Sequence, residues 1–231
     1  MQVAETVLTS FNRDGFALFR GAVPESEIER LAQAVDVLRS AKVVAGMRNL
    51  LQRSEFVRDF ATSGIAHDLA AKLLGCEPLP VRGILFDKTP GANWYVTWHQ
   101  DLSIPVSGRV DIDGYGPWSI KDGIDHVQPP AAILENMVSL RIHLDACGER
   151  NGPIKFIAGS HLSGVLEPAD ISRWRDGHAP VTCPAERGDV LAMRPLTLHS
   201  SAMAESTEHR RVLHLEYSGA NLPEGLEWAQ A

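Results

Sequence analysis

His99 and Asp101 stand two residues apart in Tyr95-Val96-Thr97-Trp98-His99-Gln100-Asp101-Leu102, a stretch of aromatic and β-branched residues that favours an extended strand. Alternate residues of a strand project from one face, so the imidazole and the carboxylate are expected to point together. One neutral nitrogen and one anionic oxygen supply part of a 2-His-1-carboxylate iron site. A second histidine must come from elsewhere in the chain, and His199 is the leading candidate. The H-x-D pattern recurs by chance in many proteins, so the remaining sequence has to carry the assignment. A zinc hydrolase has use for the same three residues.

His199 follows Gly188-Asp189-Val190-Leu191-Ala192-Met193-Arg194-Pro195, a turn and then a strand, and precedes Ser200-Ser201; Arg210-Arg211 opens a run ending at Tyr217. A planar guanidinium binds a carboxylate through two parallel hydrogen bonds and stays charged. Strand alternation sends one of Arg210 and Arg211 inward and the other outward. In Ser139-Leu140-Arg141-Ile142-His143-Leu144-Asp145, Arg141 and His143 share a face with Ser139. An arginine facing the interior needs a partner, either an internal salt bridge, for instance with Glu216, or an anionic group of a substrate. Of the other histidines, His67 reads as lying on a helix face, His178 in a loop, His161 at a turn near the rim, His209 on the surface and His214 partly buried. Packing is the expected role of Trp94, Trp98, Tyr115 and Trp118, with cover of a substrate as the alternative for Trp118.

The elements that must position these residues read as helices first and strands after. Phe11 to Arg20 reads as a helix end, a glycine turn and a strand. Pro24 opens a helix with Glu25, Glu27 and Glu29 in its first turns, where acids favour the helix dipole. Ile28, Leu31, Val35 and Leu38 keep helical spacing, and Ile65 to Leu74 forms a second amphipathic stretch closed by Gly75. Beyond Pro80 come short β-like runs: Val81 to Lys88, Trp94 to Val106, Val138 to Leu144, Val181 to Cys183, Asp189 to Met193 and Arg210 to Tyr217. Such spacing suits a sandwich or small barrel. Ser107 to Pro130, rich in Gly, Pro and Asp, is expected to form an ordered lid, with Trp118 and His126 as substrate contacts. The chain reads as one domain over 1–231: a helical buttress to about 80, a core over about 81–220 and the lid over about 107–130.

A chain of 231 residues suits a single all-β barrel with an internal pocket. Lys and Arg number 22 against 29 Asp and Glu, a net charge of −7 that argues against nucleic acid or an anionic membrane as partner and leaves a small molecule. Cys76, Cys147 and Cys183 form no C-x-x-C pair and read as reduced thiols of a cytoplasmic protein. No charged segment followed by an apolar stretch marks a secretion signal, and no apolar run approaches the ~20 residues that span a bilayer. Oligomeric state is not legible. Phosphate-cradling glycine motifs, a Ser-His-Asp arrangement and zinc-type cysteine pairs are absent.

Arg13-Asp14-Gly15-Phe16, His99-Gln100-Asp101-Leu102, Asn151-Gly152-Pro153, Gly159-Ser160-His161, His199 and Arg210 follow one another in an order and spacing that resembles the phytanoyl-CoA dioxygenase family of iron(II)- and 2-oxoglutarate-dependent oxygenases, nearly end to end. The resemblance implies a mainly β fold with flanking helices, a double-stranded β-helix or jelly-roll barrel. It implies His99, Asp101 and His199 as iron ligands, and Arg210 as the clamp on the distal carboxylate of 2-oxoglutarate, with Ser201 adding a hydrogen bond and Ile84 lining the cosubstrate. The spacing to His199 favours Arg210 over Arg211, and Lys88 is expected near the pocket mouth. Three protein ligands on an octahedral ion leave two positions for 2-oxoglutarate and one for O2. The implied reaction releases succinate and carbon dioxide and hydroxylates a C–H bond of a small molecule. Iron halogenases of related fold lack the carboxylate, so Asp101 points to hydroxylation or a related oxidation. No basic cluster suits the phosphates of coenzyme A, and a small carboxylated metabolite near Arg141 is the expected substrate. The alternative is a jelly-roll binding protein that keeps a metal and oxidises nothing.

Overall fold

The computed structural model of the chain describes residues 5–38, 46–89, 92–205 and 209–229. Helices α1 (Glu5–Asp14), α2 (Glu25–Leu38), α3 (Leu50–Arg53), α4 (Glu55–Thr62) and α5 (Gly64–Leu74) fill most of the N-terminal third; α6 (Ala131–Glu135) and α7 (Pro168–Gly177) come later. The strands are β1 (Phe16–Phe19), β2 (Gly46–Met47), β3 (Leu79–Lys88), β4 (Val96–His99), β5 (Ile104–Val106), β6 (Trp118–Lys121), β7 (Ile124–Val127), β8 (Met137–His143), β9 (Ile154–Phe156), β10 (Val181–Cys183), β11 (Val190–Met193), β12 (His199–Ser201) and β13 (Arg210–Ser218). Both helical expectations hold: α2 starts on the carbonyl of Pro24, and α5 ends at Gly75, whose φ of 73° is a left-handed value that glycine adopts without strain.

Six strands form one sheet in the order β1-β11-β8-β13-β3-β2, and four form a smaller one in the order β10-β9-β12-β4. This is the mainly antiparallel jelly-roll architecture with flanking helices expected from the sequence. Strand β8 is buried along its whole length because both of its faces are covered. Val138, Leu140 and Ile142 join Leu213, Leu215 and Tyr217 of β13 in a core shared with Phe11, Ile28, Leu31, Val35, Val57 and Leu69 of the helices. Burying such an apolar face is the main force that seats the helices on the large sheet.

The opposite faces of the same strands are polar. Register sets Arg210 beside Lys88, His214 between Ile84 and Arg141, and Glu216 between Arg82 and Ser139. At one end of the interior, Ile154 and Phe156 of β9 meet Leu191 and Met193 of β11 in a smaller apolar cluster. Residues 107–130, expected to form a lid loop, instead carry β6 and β7, which pair with β5 as a third, three-stranded sheet. Among the described residues no helix is long and apolar enough to cross a membrane.

Candidate metal centre and cosubstrate cavity

His99 and His199 are direct cross-strand neighbours in the β4–β12 pair, with ring centroids 4.1 Å apart. Asp101 lies just past the end of β4, not within a continuous strand to Val106. The reason is Gln100: its buried amide donates to the carbonyls of Gly164 and Leu196, at 2.8 and 2.7 Å, and accepts from the Leu166 N–H at 2.8 Å. With the Asp101 N–H bonded to the Pro195 carbonyl, the chain is held in a bend that still returns the carboxylate to the histidines.

His99 Nδ1 lies 2.9 Å from the carbonyl oxygen of Thr97, and His199 Nδ1 lies 2.8 Å from that of Thr197. A carbonyl only accepts, so each Nδ1 carries the hydrogen and each Nε2 keeps its lone pair free. Those two Nε2 atoms stand 3.7 and 3.6 Å from the oxygens of Asp101, too far for hydrogen bonds. Two ligand atoms each ~2.1 Å from an ion, at near right angles, lie roughly 3 Å apart, so the spacing suits one ion between them. Burial works against the Asp101 carboxylate, but His199, His99, His214 and Arg82 outweigh it and hold its carboxyl at about 2. Burial lowers His199 to about 4 against the pull of Asp101, leaving a neutral ring at neutral pH. An anionic oxygen and imidazole nitrogens with free lone pairs are the donor set that a divalent first-row metal takes.

Beside this trio opens a cavity of about 210 Å³, below the size of typical drug-sized pockets. Arg210 faces it and Arg211 does not. Arg210 donates to the Gly152 carbonyl at 2.7 Å, while its buried Nε has no partner. Arg211 points outward and is held by Asp145 through paired bonds of 2.9 and 2.8 Å and by Asp36 at 2.8 Å. Ser201, Ile84 and Arg141 line the cavity. Lys88, expected at the mouth, is fully buried; its Nζ donates to Ser201 Oγ at 3.2 Å and to the Ala202 carbonyl at 2.6 Å, and burial lowers it to about 8.

Trp118 and His126 do not reach the cavity. Trp118 packs in the cluster under β5 and β7 with Arg109 over its ring, and His126 is buried in the same hairpin with Nδ1 against the Ile124 carbonyl. Lys121, at the end of β6, is the residue of that segment that lines the cavity, anchored on Ser103 Oγ at 2.6 Å. Arg82 and Phe86, not expected from the sequence, also stand in the wall, as does Trp94, expected to pack. The even alternation of Arg82, Ile84, Phe86 and Lys88 along β3 was the available signal. Glu216 pairs with Arg82 and His214, not with Arg141.

The other motifs converge behind His199. Ser160 Oγ donates to the Ile157 carbonyl and accepts from the Leu198 N–H. His161 Nε2 lies 3.1 Å from the Asn12 carbonyl, and a side chain at Gly15 would strike Thr197 and His161.

Many solved structures resemble this fold. AviO1 from Streptomyces viridochromogenes is 22% identical with a TM-score of 0.71, over 96% of this chain and 98% of its own. The non-heme alpha ketoglutarate dependent epimerase SnoN from nogalamycin biosynthesis is 20% identical with a TM-score of 0.72, over 96% of this chain and 86% of its own. EctD from S. alaskensis, solved with 2-oxoglutarate and 5-hydroxyectoine, is 18% identical with a TM-score of 0.72, over 94% of this chain and 76% of its own. No curated protein sequence matches the chain. The sequence profile of the phytanoyl-CoA dioxygenase (PhyH) family matches residues 11–212. That span takes in each motif just placed around the cavity, and the chain belongs to the phytanoyl-CoA dioxygenase family, as an iron(II)- and 2-oxoglutarate-dependent non-haem dioxygenase with O2 as cosubstrate.

Proposed function

We propose that His99, Asp101 and His199 hold the iron, that Arg210 holds the distal carboxylate of 2-oxoglutarate, and that the enzyme hydroxylates a C–H bond of a small metabolite. The observation that carries this reading is the pair of free Nε2 atoms facing one carboxylate, beside a buried guanidinium with an unpartnered Nε. Bound iron(II) supplies oxygen activation, in which 2-oxoglutarate, O2 and a C–H group yield succinate, carbon dioxide and C–OH. The residues of the chain bind and orient. Thr97 and Thr197 fix the ring tautomers, Arg210 and Ser201 seat the distal carboxylate, with Lys88 behind them orienting Ser201, and Ile84 packs on the cosubstrate's apolar carbons.

Among the structural neighbours, SnoN is an epimerase and SnoK a carbocyclase, whereas EctD was solved with 2-oxoglutarate and 5-hydroxyectoine. Hydroxylation here predicts a product heavier by one oxygen atom. The three unpaired cysteines support a cytoplasmic setting. Purified protein supplied with iron(II), ascorbate and 2-oxoglutarate should release succinate slowly without substrate, and His99→Ala should abolish this. Normal succinate release by that variant would overturn the ligand assignment.

A further inference from the structure

Among the described residues the cavity wall carries five cations, Arg48, Arg82, Lys121, Arg141 and Arg210, and two carboxylates, Asp101 and Glu216. Glu216 is engaged by Arg82 and by His214, whose Nε2 lies 3.0 Å from Oε1. Asp101 is engaged with the histidines. Arg48 stands 3.5 Å from Asp122 outside the cavity. Arg210 is assigned to 2-oxoglutarate, and Lys121 sits on Ser103 toward the hairpin. Among the described residues neither Lys121 nor Arg141 is then paired with an acid, and Arg141 is the buried one of the two.

Arg141 is 9% exposed, its Nε has no partner among the described residues, and its Nη1 lies 3.5 Å from His214 Nδ1. Because His214 gives its hydrogen to Glu216, Nδ1 offers a lone pair to the guanidinium and orients it without cancelling its charge. The Phe86 ring lies 5.4 Å from the guanidinium carbon and fixes its plane. A buried cation held this way is unfavourable until an anion arrives.

We propose that Arg141 is a second carboxylate clamp, separate from Arg210. This rests on the reading of Arg210 given above. The carboxylate comes from a small acidic substrate or from the metal-side end of 2-oxoglutarate. Iron(II) and the 2-oxoglutarate dianion cancel in charge, so the wall's excess of positive charge persists with both bound and favours an acidic substrate.

Two measurements on wild type, Arg141→Gln and Arg141→Lys decide it. One is calorimetric binding of 2-oxoglutarate to Mn(II)-loaded protein. The other is succinate release stimulated by a panel of short aliphatic and amino carboxylic acids, each beside its methyl ester. With an acidic substrate, acids stimulate and esters do not, and Arg141→Gln raises the half-saturating acid concentration about tenfold or more, well beyond its effect on 2-oxoglutarate. With the cosubstrate as the source, Arg141→Gln weakens 2-oxoglutarate itself by about tenfold or more. Arg141→Lys keeps the charge without the fork, should fall between the two in either case, and decides the question if the glutamine variant fails to fold. The clamp is overturned if neither quantity responds in folded variants. Absence of metal-dependent 2-oxoglutarate binding in wild type overturns the Arg210 reading and the clamp with it, whereas normal wild-type binding with insensitive variants overturns the clamp alone.

Discussion

Arg210 and Arg211 show how far one residue of register matters. Arg210→Ala removes the cation assigned to 2-oxoglutarate, and losing a desolvated charged pair costs about 2 kcal/mol or more. The apparent KM for 2-oxoglutarate should therefore rise roughly thirtyfold or more. Arg211→Ala should leave that constant alone and lower thermal stability by about 1.5 kcal/mol, the scale of lost hydrogen bonds to a charged group. Steady-state kinetics with a thermal melt of each variant separates the two, and the opposite pattern would reverse the assignment. Asp145 adds a pH dependence. Burial raises its carboxyl, but hydrogen bonds from Arg211 outweigh this and hold it below the ordinary 3.8. Its contribution is complete above that value and fades as acidification passes down through the folded-state value. Asp145→Asn should thus destabilise the protein at neutral pH and progressively less below about pH 4; a constant difference across that range would contradict the pairing. H-x-D and His199 were legible in the sequence because residue type and two-residue spacing are local signals. Strand alternation alone did not fix the parity at Arg210, which came from the spacing to His199, because Asp36 and Asp145, which pull Arg211 outward, lie far off in the chain.

At the scale of elements, the turn holding Asn151-Gly152-Pro153 is the back wall of the Arg210 site. Gly152 has a φ of 61°, and a side chain there would come within 2.5 Å of the Ala202 carbonyl. That carbonyl accepts from Lys88 and the Gly152 carbonyl accepts from Arg210, so the turn and the segment after β12 that it packs against seat one cation each. Gly152→Ala should cost about 1–2 kcal/mol for the left-handed backbone. By displacing the Ala202 carbonyl it should also raise the KM for 2-oxoglutarate. A melt and a cosubstrate titration check this, and an unaltered KM would remove the turn from the site. The sequence showed that this motif belonged with the others but not what it touches. Two of the long helices and most strands were legible from periodicity, as α2, α5 and β8 show, whereas α3, α4, α6 and α7 were not. The break after His99 was not, because Gln100 is held by Gly164, Leu196 and Leu166 from a distant segment. Trp118 and His126 lie outside the cavity wall because β6 pairs with β7 in a hairpin and β7 pairs in turn with β5.

Over the whole molecule, the two halves of the site come from different sheets. The histidines stand on the four-stranded sheet, while Lys88, Arg141 and Arg210 stand on the six-stranded one. A dicarboxylic 2-oxo acid with one end on a metal and the other on Arg210 bridges them. Neither sheet alone offers both contacts, so affinity for 2-oxoglutarate should depend on the metal. The most direct measurement is anaerobic calorimetric titration of 2-oxoglutarate into metal-free protein, into Mn(II)-loaded protein and into Mn(II)-treated Asp101→Ala. The account predicts saturable binding in the Mn(II)-loaded wild type, with affinity lost or reduced about tenfold or more in the other two samples. Equal affinity in all three would contradict it.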